Sequence, residues 1–375
     1  MASLNTRIAF SDEQAMLLDT AVAFCREKSS IRAVRDLLAS EDGFDRAVWA
    51  EISALGWSAI AIPERFGGSG LSLAEVATVA EPMGRHLLAT PFASTQLFIQ
   101  GLLASAGAAA QTAALPRVAQ GAIATTALFE DDGDWDLSHI GCTADRRGES
   151  VALRGTKTLV GDGAVAELFL VSVVFEGAPA LVLLDATDLP PGHLRRETVI
   201  DETRRSCRLE LDGLVLPAEA LITGPAAAAG LRAIRDAALL LSAAEATGGI
   251  AGVLDVTVDY LNTRTTFGRK IGSYQALKHT CADILVGLER ARSHLYHAAT
   301  LCAGNEDAEI ALRMAKAEAC DVFAFAGDRA IQFHGGFGFT YECDAQLYLR
   351  RALWLQYSFG DAGHHRRKLV DLLLP

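Results

Sequence analysis

Hydrophobic and polar positions change period twice along this chain of 375 residues. Through residue 116 the apolar positions recur at the three-to-four spacing of helices that bury one face. Ser11-Asp-Glu-Gln14 has the form of a capping box and predicts a helix to Lys28. A second helix over 44–55 should stop at Gly56, and residues 62–71 form a loop dense in breakers. Ser72-Leu-Ala-Glu75 repeats the capping-box pattern, and helices continue to Ala114. From Arg117 the pattern is different. Residues 122–129, 150–153, 168–175, 180–184 and 207–211 are short apolar or alternating runs between Gly, Pro and Asp clusters, which reads as an all-β unit. After Pro217 the helical period returns over 225–261, 276–301 and 307–333. Helices of that length joined by short corners pack as an antiparallel bundle. Residues 346–374 add one or two shorter helices broken around Phe359-Gly360-Asp361. In the longest helix, Gly248-Gly249 either bends the axis or lets a neighbour pack close. The expected organisation is a mainly α chain: an N-terminal helical domain (1–116), a middle β domain (117–224) and a C-terminal helical bundle (225–375).

Composition narrows the function. The net charge of -12 provides no basic stripe to displace counterions from a nucleic acid, so that partner is not expected. Seven cysteines are scattered with no Cys-x-x-Cys pair, the usage of reduced thiols and not of a disulfide frame or a zinc site. Residues 1–10 do not read as a signal sequence, and no uninterrupted apolar run of membrane-spanning length stands out; a cytoplasmic enzyme is expected.

The chemistry gathers at the corner between the first two bundle helices, Arg264-Thr-Thr-Phe-Gly-Arg-Lys-Ile-Gly-Ser-Tyr-Gln275. Arg264 offers a planar fork for phosphate, Thr265 and Thr266 add hydroxyls, and Phe267 gives a flat apolar surface for a ring. On composition alone the same residues also fit an ordinary helix stop, with cations complementing the dipole and a Gly cap. Further on, Gln332-Phe-His-Gly-Gly-Phe-Gly338 places two glycines at a helix end, where a ligand or another backbone can approach to contact. His334 reads as a packing residue and not a metal ligand, because no second ligand lies four residues on.

Arg-x-x-Phe-Gly with Ile-Gly-x-x-Gln, followed by the Gln-x-x-Gly-Gly turn, resembles the paired signature of the acyl-CoA dehydrogenase family. Ile62-Pro-Glu-Arg-Phe-Gly-Gly-Ser-Gly70 and Gly155-Thr-Lys157 resemble further family segments. The resemblance implies a helical domain, a central β-barrel domain and a four-helix bundle, in that order. It implies FAD as cofactor, with Arg264, Thr266, Phe267 and Gln275 gripping the pyrophosphate. Gln332, His334, Gly335 and Gly336 would line the adenosine-diphosphate half of a flavin held by the neighbouring subunit. It further implies an acyl-CoA substrate in lipid metabolism, an electron-transfer flavoprotein-like acceptor, and a homotetramer or a heterotetramer with a second chain of the same family.

The reaction so implied is α,β-dehydrogenation: a carboxylate takes the α-proton while the β-hydrogen passes to the flavin. At the base positions this chain departs from the family. Matching the C-terminal Tyr-Glu-Gly-Thr turn lands on Ser358 or Phe359, and counting back to the alternative base on the preceding helix lands on Ala238. The loop that touches the flavin ring is reduced to Leu128-Phe-Glu-Asp-Asp-Gly-Asp-Trp135, and the usual Trp and Thr are Leu159 and Gly161. Either a partner chain supplies the base, or a displaced acid does. Asp361 is the named candidate, with Asp236, Glu245 and Glu130 behind it. A flavin monooxygenase on this fold and a non-catalytic structural subunit are the alternatives.

Overall fold

A computed structural model describes residues 12–137, 139–304 and 307–374. The N-terminal layer is helical: α1 (Asp12–Lys28), α2 (Ile31–Leu38), α3 (Arg46–Ala54), α4 (Leu73–Arg85), α5 (Phe92–Ser105) and α6 (Ala108–Ala119). Ser11 of the first predicted capping box lies outside the described residues, as does the segment 1–10. The second box forms as read. Ala74 N–H donates to Ser72 Oγ at 3.1 Å while Glu75 accepts from Ser72 N–H at 2.8 Å, and Gln14 donates to the other Glu75 oxygen, tying α1 to α4. The short α2, capped by Ser30, is an element that periodicity did not reveal.

Ten strands follow: β1 (Ala124–Ala127), β2 (Thr143–Arg147), β3 (Ser150–Arg154), β4 (Thr156–Gly161), β5 (Leu168–Phe175), β6 (Ala178–Asp185), β7 (Leu194–Glu197), β8 (Ser206–Glu210), β9 (Val215–Pro217) and β10 (Leu221–Ile222). They make two sheets, one in the order β10-β6-β5-β2-β3-β9 with β1 parallel to β5, the other β4-β8-β7. One bridge between Phe129 and Thr158 links them. The expected closed barrel is not found among the described residues. The larger sheet ends in strands of two and three residues, and Pro217 has no N–H to extend the ladder.

The bundle consists of α7 (Gly224–Thr263), α8 (Gln275–Ala303), α9 (Glu309–His334), α10 (Ala345–Tyr357) and α11 (Ala362–Leu373); between α7 and α8 lies a two-stranded hairpin, β11 (Thr265–Thr266) and β12 (Arg269–Lys270). The 40 residues of α7 span ~60 Å without a break. Its double glycine therefore serves close packing. A Cβ on Gly248 would stand 1.8 Å from the Glu81 carbonyl oxygen of α4, and one on Gly249 would stand 2.2 Å from the Phe323 ring of α9. Contrary to expectation, α7 is long and apolar enough to cross a membrane; here it is the buried axis of the bundle.

Candidate functional site

Two features converge at one end of the bundle. The helix α7 stops at Arg264, and the chain turns through Phe267 (φ 55°) and Gly268 (φ 77°), which pairs Thr266 with Arg269 and Thr265 with Lys270. Two central residues with positive φ give the turn that matches strand twist. This hairpin thrusts Phe267 outward, 89% exposed. Lys270 Nζ donates to the Thr263 carbonyl at 3.0 Å, and Arg269 lies over the Tyr274 ring at 4.1 Å, so these two cations brace the corner. The Arg264 side chain is exposed with no hydrogen-bond or ion-pair partner among the described residues. Gln275 opens α8, where no side chain caps the first backbone N–H groups.

The second feature is the end of α9. Gly335 adopts φ 62°, ψ -141°, a conformation that L side chains avoid, and Gly335 and Gly336 are exposed with nothing near the place a Cβ would take. Gln332 is exposed on the last turn. His334 is the packing residue the sequence suggested, and its side chain does not reach the exposed face with Gln332, Gly335 and Gly336: it is buried, bonded through Nδ1 to the Ala330 carbonyl at 2.7 Å and stacked on Tyr260 at 4.1 Å. Since Tyr260 lies on the last turn of α7, that stack joins the double-glycine turn to the Arg264 corner. The structure thus brings Arg264, Thr266, Phe267, Gln275, Gln332, Gly335 and Gly336 onto one exposed end, with His334 behind them as a spacer.

A separate cavity of about 270 Å³ lies between the helical domain, the sheets and the bundle. Its walls come from the start of α5, the exit of β1, the β4 edge, the middle of α7 and the end of α10. Ala238, Ser358 and Phe359 all line it, as do Leu159 and Gly161. The positions matched to a base, and Leu159 and Gly161 matched to flavin-ring contacts, therefore line one space. Phe359 sits at φ 57° and meets Phe129 edge to face, with ring centroids 4.9 Å apart. Trp135 packs against His364, and Asp136 beneath it bonds His364 and Lys368, which pins this loop to α11.

The acids in and around the cavity are all engaged. Glu130 takes Lys157 Nζ at 2.6 Å and the N–H groups of Gly141 and Cys142. Burial pushes its carboxyl up, but those bonds outweigh burial and hold it below the ordinary range. Glu245 is clamped by the guanidinium groups of Arg204 and Arg351, and Arg351, fully buried, also binds Asp201 and Thr203. Asp236 pairs with Arg235 and is not among the residues that line the cavity. Nor is Asp361, the candidate base: its carboxylate accepts the His364 N–H at 2.7 Å as the cap of α11.

One acid in the cavity escaped sequence reading. Asp162 follows Gly161, stands at φ 55°, and accepts Ser94 Oγ–H at 2.5 Å. Burial raises its carboxyl above the usual range against the pull of Ser94, Arg204 and Arg205. Its place just past the Gly-x-Lys turn was the available signal.

Comparison with known proteins agrees with this geometry. The N-terminal domain of acyl-CoA dehydrogenases matches residues 11–122, and the C-terminal domain of acyl-CoA dehydrogenases matches residues 237–373. The chain is 30% identical over 360 residues to the acyl-CoA dehydrogenase IpdE2 of Mycolicibacterium smegmatis, covering 96% of this chain and 98% of that one. Among solved structures, the Tcur3481-Tcur3483 steroid ACAD variant is similar with TM-score 0.86 and 28% identity, over 96% of this chain and 98% of that one. The ChsE4-ChsE5 complex from Mycobacterium tuberculosis shares the fold with TM-score 0.88 at 24% identity, over 98% and 99% of the two chains. With this likeness along nearly its whole length, the chain belongs to the acyl-CoA dehydrogenase family of FAD-dependent oxidoreductases.

Proposed function

We propose that this chain is one subunit of a two-chain acyl-CoA dehydrogenase, and that it grips the diphosphate and adenosine of a flavin whose ring lies in the partner. The observation that carries this reading is an asymmetry within the chain. Both base positions, Ala238 and Ser358, line the cavity without a carboxylate, whereas the dinucleotide corner keeps its residues and faces outward.

Bound FAD supplies the acceptor for the β-hydrogen of the thioester. The residues of this chain bind and orient it. Arg264 and the open N–H groups at the start of α8 suit a diphosphate, Phe267 covers a ring face, and Gly335 with Gly336 leaves room for close approach. The α-proton needs a carboxylate near neutral pH, and this reading gives that role to the partner. The Phe129–Phe359 pair, with Leu159 and Gly161, takes up the side where family members contact the flavin ring. Leu285, Val286 and Phe325 are exposed on α8 and α9, an apolar face suited to a second chain. Two of the similar structures, the Tcur3481-Tcur3483 steroid ACAD and the ChsE4-ChsE5 complex, are two-chain proteins. By that likeness the proposed substrate is the CoA thioester of a bulky, ring-bearing acyl group.

Anaerobic spectroscopy tests the reading. The chain purified with its partner should carry a flavin that a ring-bearing acyl-CoA bleaches, and the chain alone should hold little flavin. A yellow chain that is bleached alone would contradict it.

A further inference from the structure

The cavity of this chain is small for the ring system it would have to hold. Cofactor clefts run from about 300 Å³ upward, and a dehydrogenase must seat a flavin ring and a thioester face to face; this space measures about 270 Å³. Two aromatic side chains take up part of it. Phe129 lies at the bridge between the two sheets, where its carbonyl accepts the Thr158 N–H at 2.9 Å. Phe359 comes from the turn after α10 and is only 9% exposed, and the two rings meet edge to face with centroids 4.9 Å apart. Phe359 also stands at φ 57°, in the left-handed region that favours glycine, and Gly360 follows at φ 105°. A phenylalanine kept in that conformation beside a cavity is held by its packing, and strain of this kind gathers at functional sites.

We propose that Phe129 and Phe359 bar a flavin ring from the cavity of this chain, and so confine the flavin ring of each pair to the partner. The two side chains act by volume, from separate elements: one is anchored by the sheets and the other by the end of α10. The inference rests on the two-chain reading and names the side chains that make the two ring sites of a pair unequal.

Lumiflavin, the ring system without the diphosphate half, probes the space without calling on any phosphate grip. The chain is purified with its partner, its FAD is counted, and lumiflavin is titrated by fluorescence quenching. Phe359→Gly, which also suits the positive φ, should bind one lumiflavin per copy of this chain, at least about tenfold more tightly than the unaltered protein does. Phe129→Ala opens the same space from the sheet side and should do likewise, so the test survives if one variant does not fold. A Cβ on Gly161, which also lines the cavity, would meet nothing within 4 Å, so Gly161→Val added to either variant should refill the space and abolish the uptake. Equal affinity in the unaltered protein, no uptake by the folded variants, or uptake that Gly161→Val leaves unchanged would each overturn the inference. FAD content separates this from the subunit assignment: one FAD per chain in the unaltered protein would sink the assignment and the barrier with it. One FAD per pair, with no lumiflavin in the opened variants, would sink the barrier alone.

Discussion

Arg351 shows how much a single side chain holds in this molecule. It is fully buried among Asp201, Glu245 and Thr203, and so fastens α10 to α7 and to the segment before β8. Arg351→Met would leave two carboxylates facing each other without their shared cation. Breaking a buried pair from one side costs about 3–5 kcal/mol, so urea denaturation should show a loss of that order. The acids also set opposite pH trends. Burial opposes ionisation of Asp201, but the Arg351 charge and the Thr203 hydrogen bond win and hold its carboxyl below the ordinary range. Its contribution is present above an unfolded value of about 3.9 and is lost as pH falls through the lower folded value. Asp162 is the reverse case. Its raised carboxyl contributes fully below the unfolded value, and that contribution is lost as pH rises toward the folded one. Asp162→Asn should therefore raise the thermal midpoint more at pH 7 than at pH 4, and an equal gain at both would contradict a carboxyl raised by desolvation.

At the scale of elements, two glycine pairs do opposite work. Gly248 lets the backbone of α7 touch that of α4, and Gly84 returns the contact, where a Cβ would stand 2.0 Å from the Glu245 carbonyl oxygen. Gly248→Ala should destabilise the fold by ~1–3 kcal/mol or more, read as a lowered thermal midpoint. A Cβ on Gly336 would meet nothing within 4 Å among the described residues. Gly336→Ala should leave stability within about 0.5 kcal/mol and still lower flavin content, if the open face at the end of α9 is where the cofactor lies. Element boundaries were legible where apolar runs were long, as at β5, whose strand is the predicted run. They were missed at α2, whose three-to-four apolar spacing lasts only eight residues, and at β7, four residues of which three are charged. The nature of the double glycine in α7 was open in the sequence because bending and close packing leave the same residues; only the approach of α4 and α9 separates them.

Across the whole molecule, the sequence pointed to the exposed Arg264 corner and to the base positions without a carboxylate, because both depend on local motifs and on counting along a helix. The polar side of the cavity was hidden. Arg204 lies in Glu202-Thr-Arg-Arg-Ser206, which reads as an ordinary polar stretch until packing brings it against Glu245, 41 residues on in the bundle. Asp361 misled for a related reason: proximity in sequence to the usual base position says nothing about whether a carboxylate points into a cavity or caps the next helix. Base positions without a carboxylate beside a corner that keeps its motif are what the proposed two-chain site requires. Its most direct test is the flavin content of the chain purified with its partner, with and without Arg264→Ala. We predict one FAD per pair of chains, falling severalfold in Arg264→Ala with the thermal midpoint of the flavin-free protein unchanged. One FAD per chain, held as well by the variant as by the unaltered protein, would contradict the account.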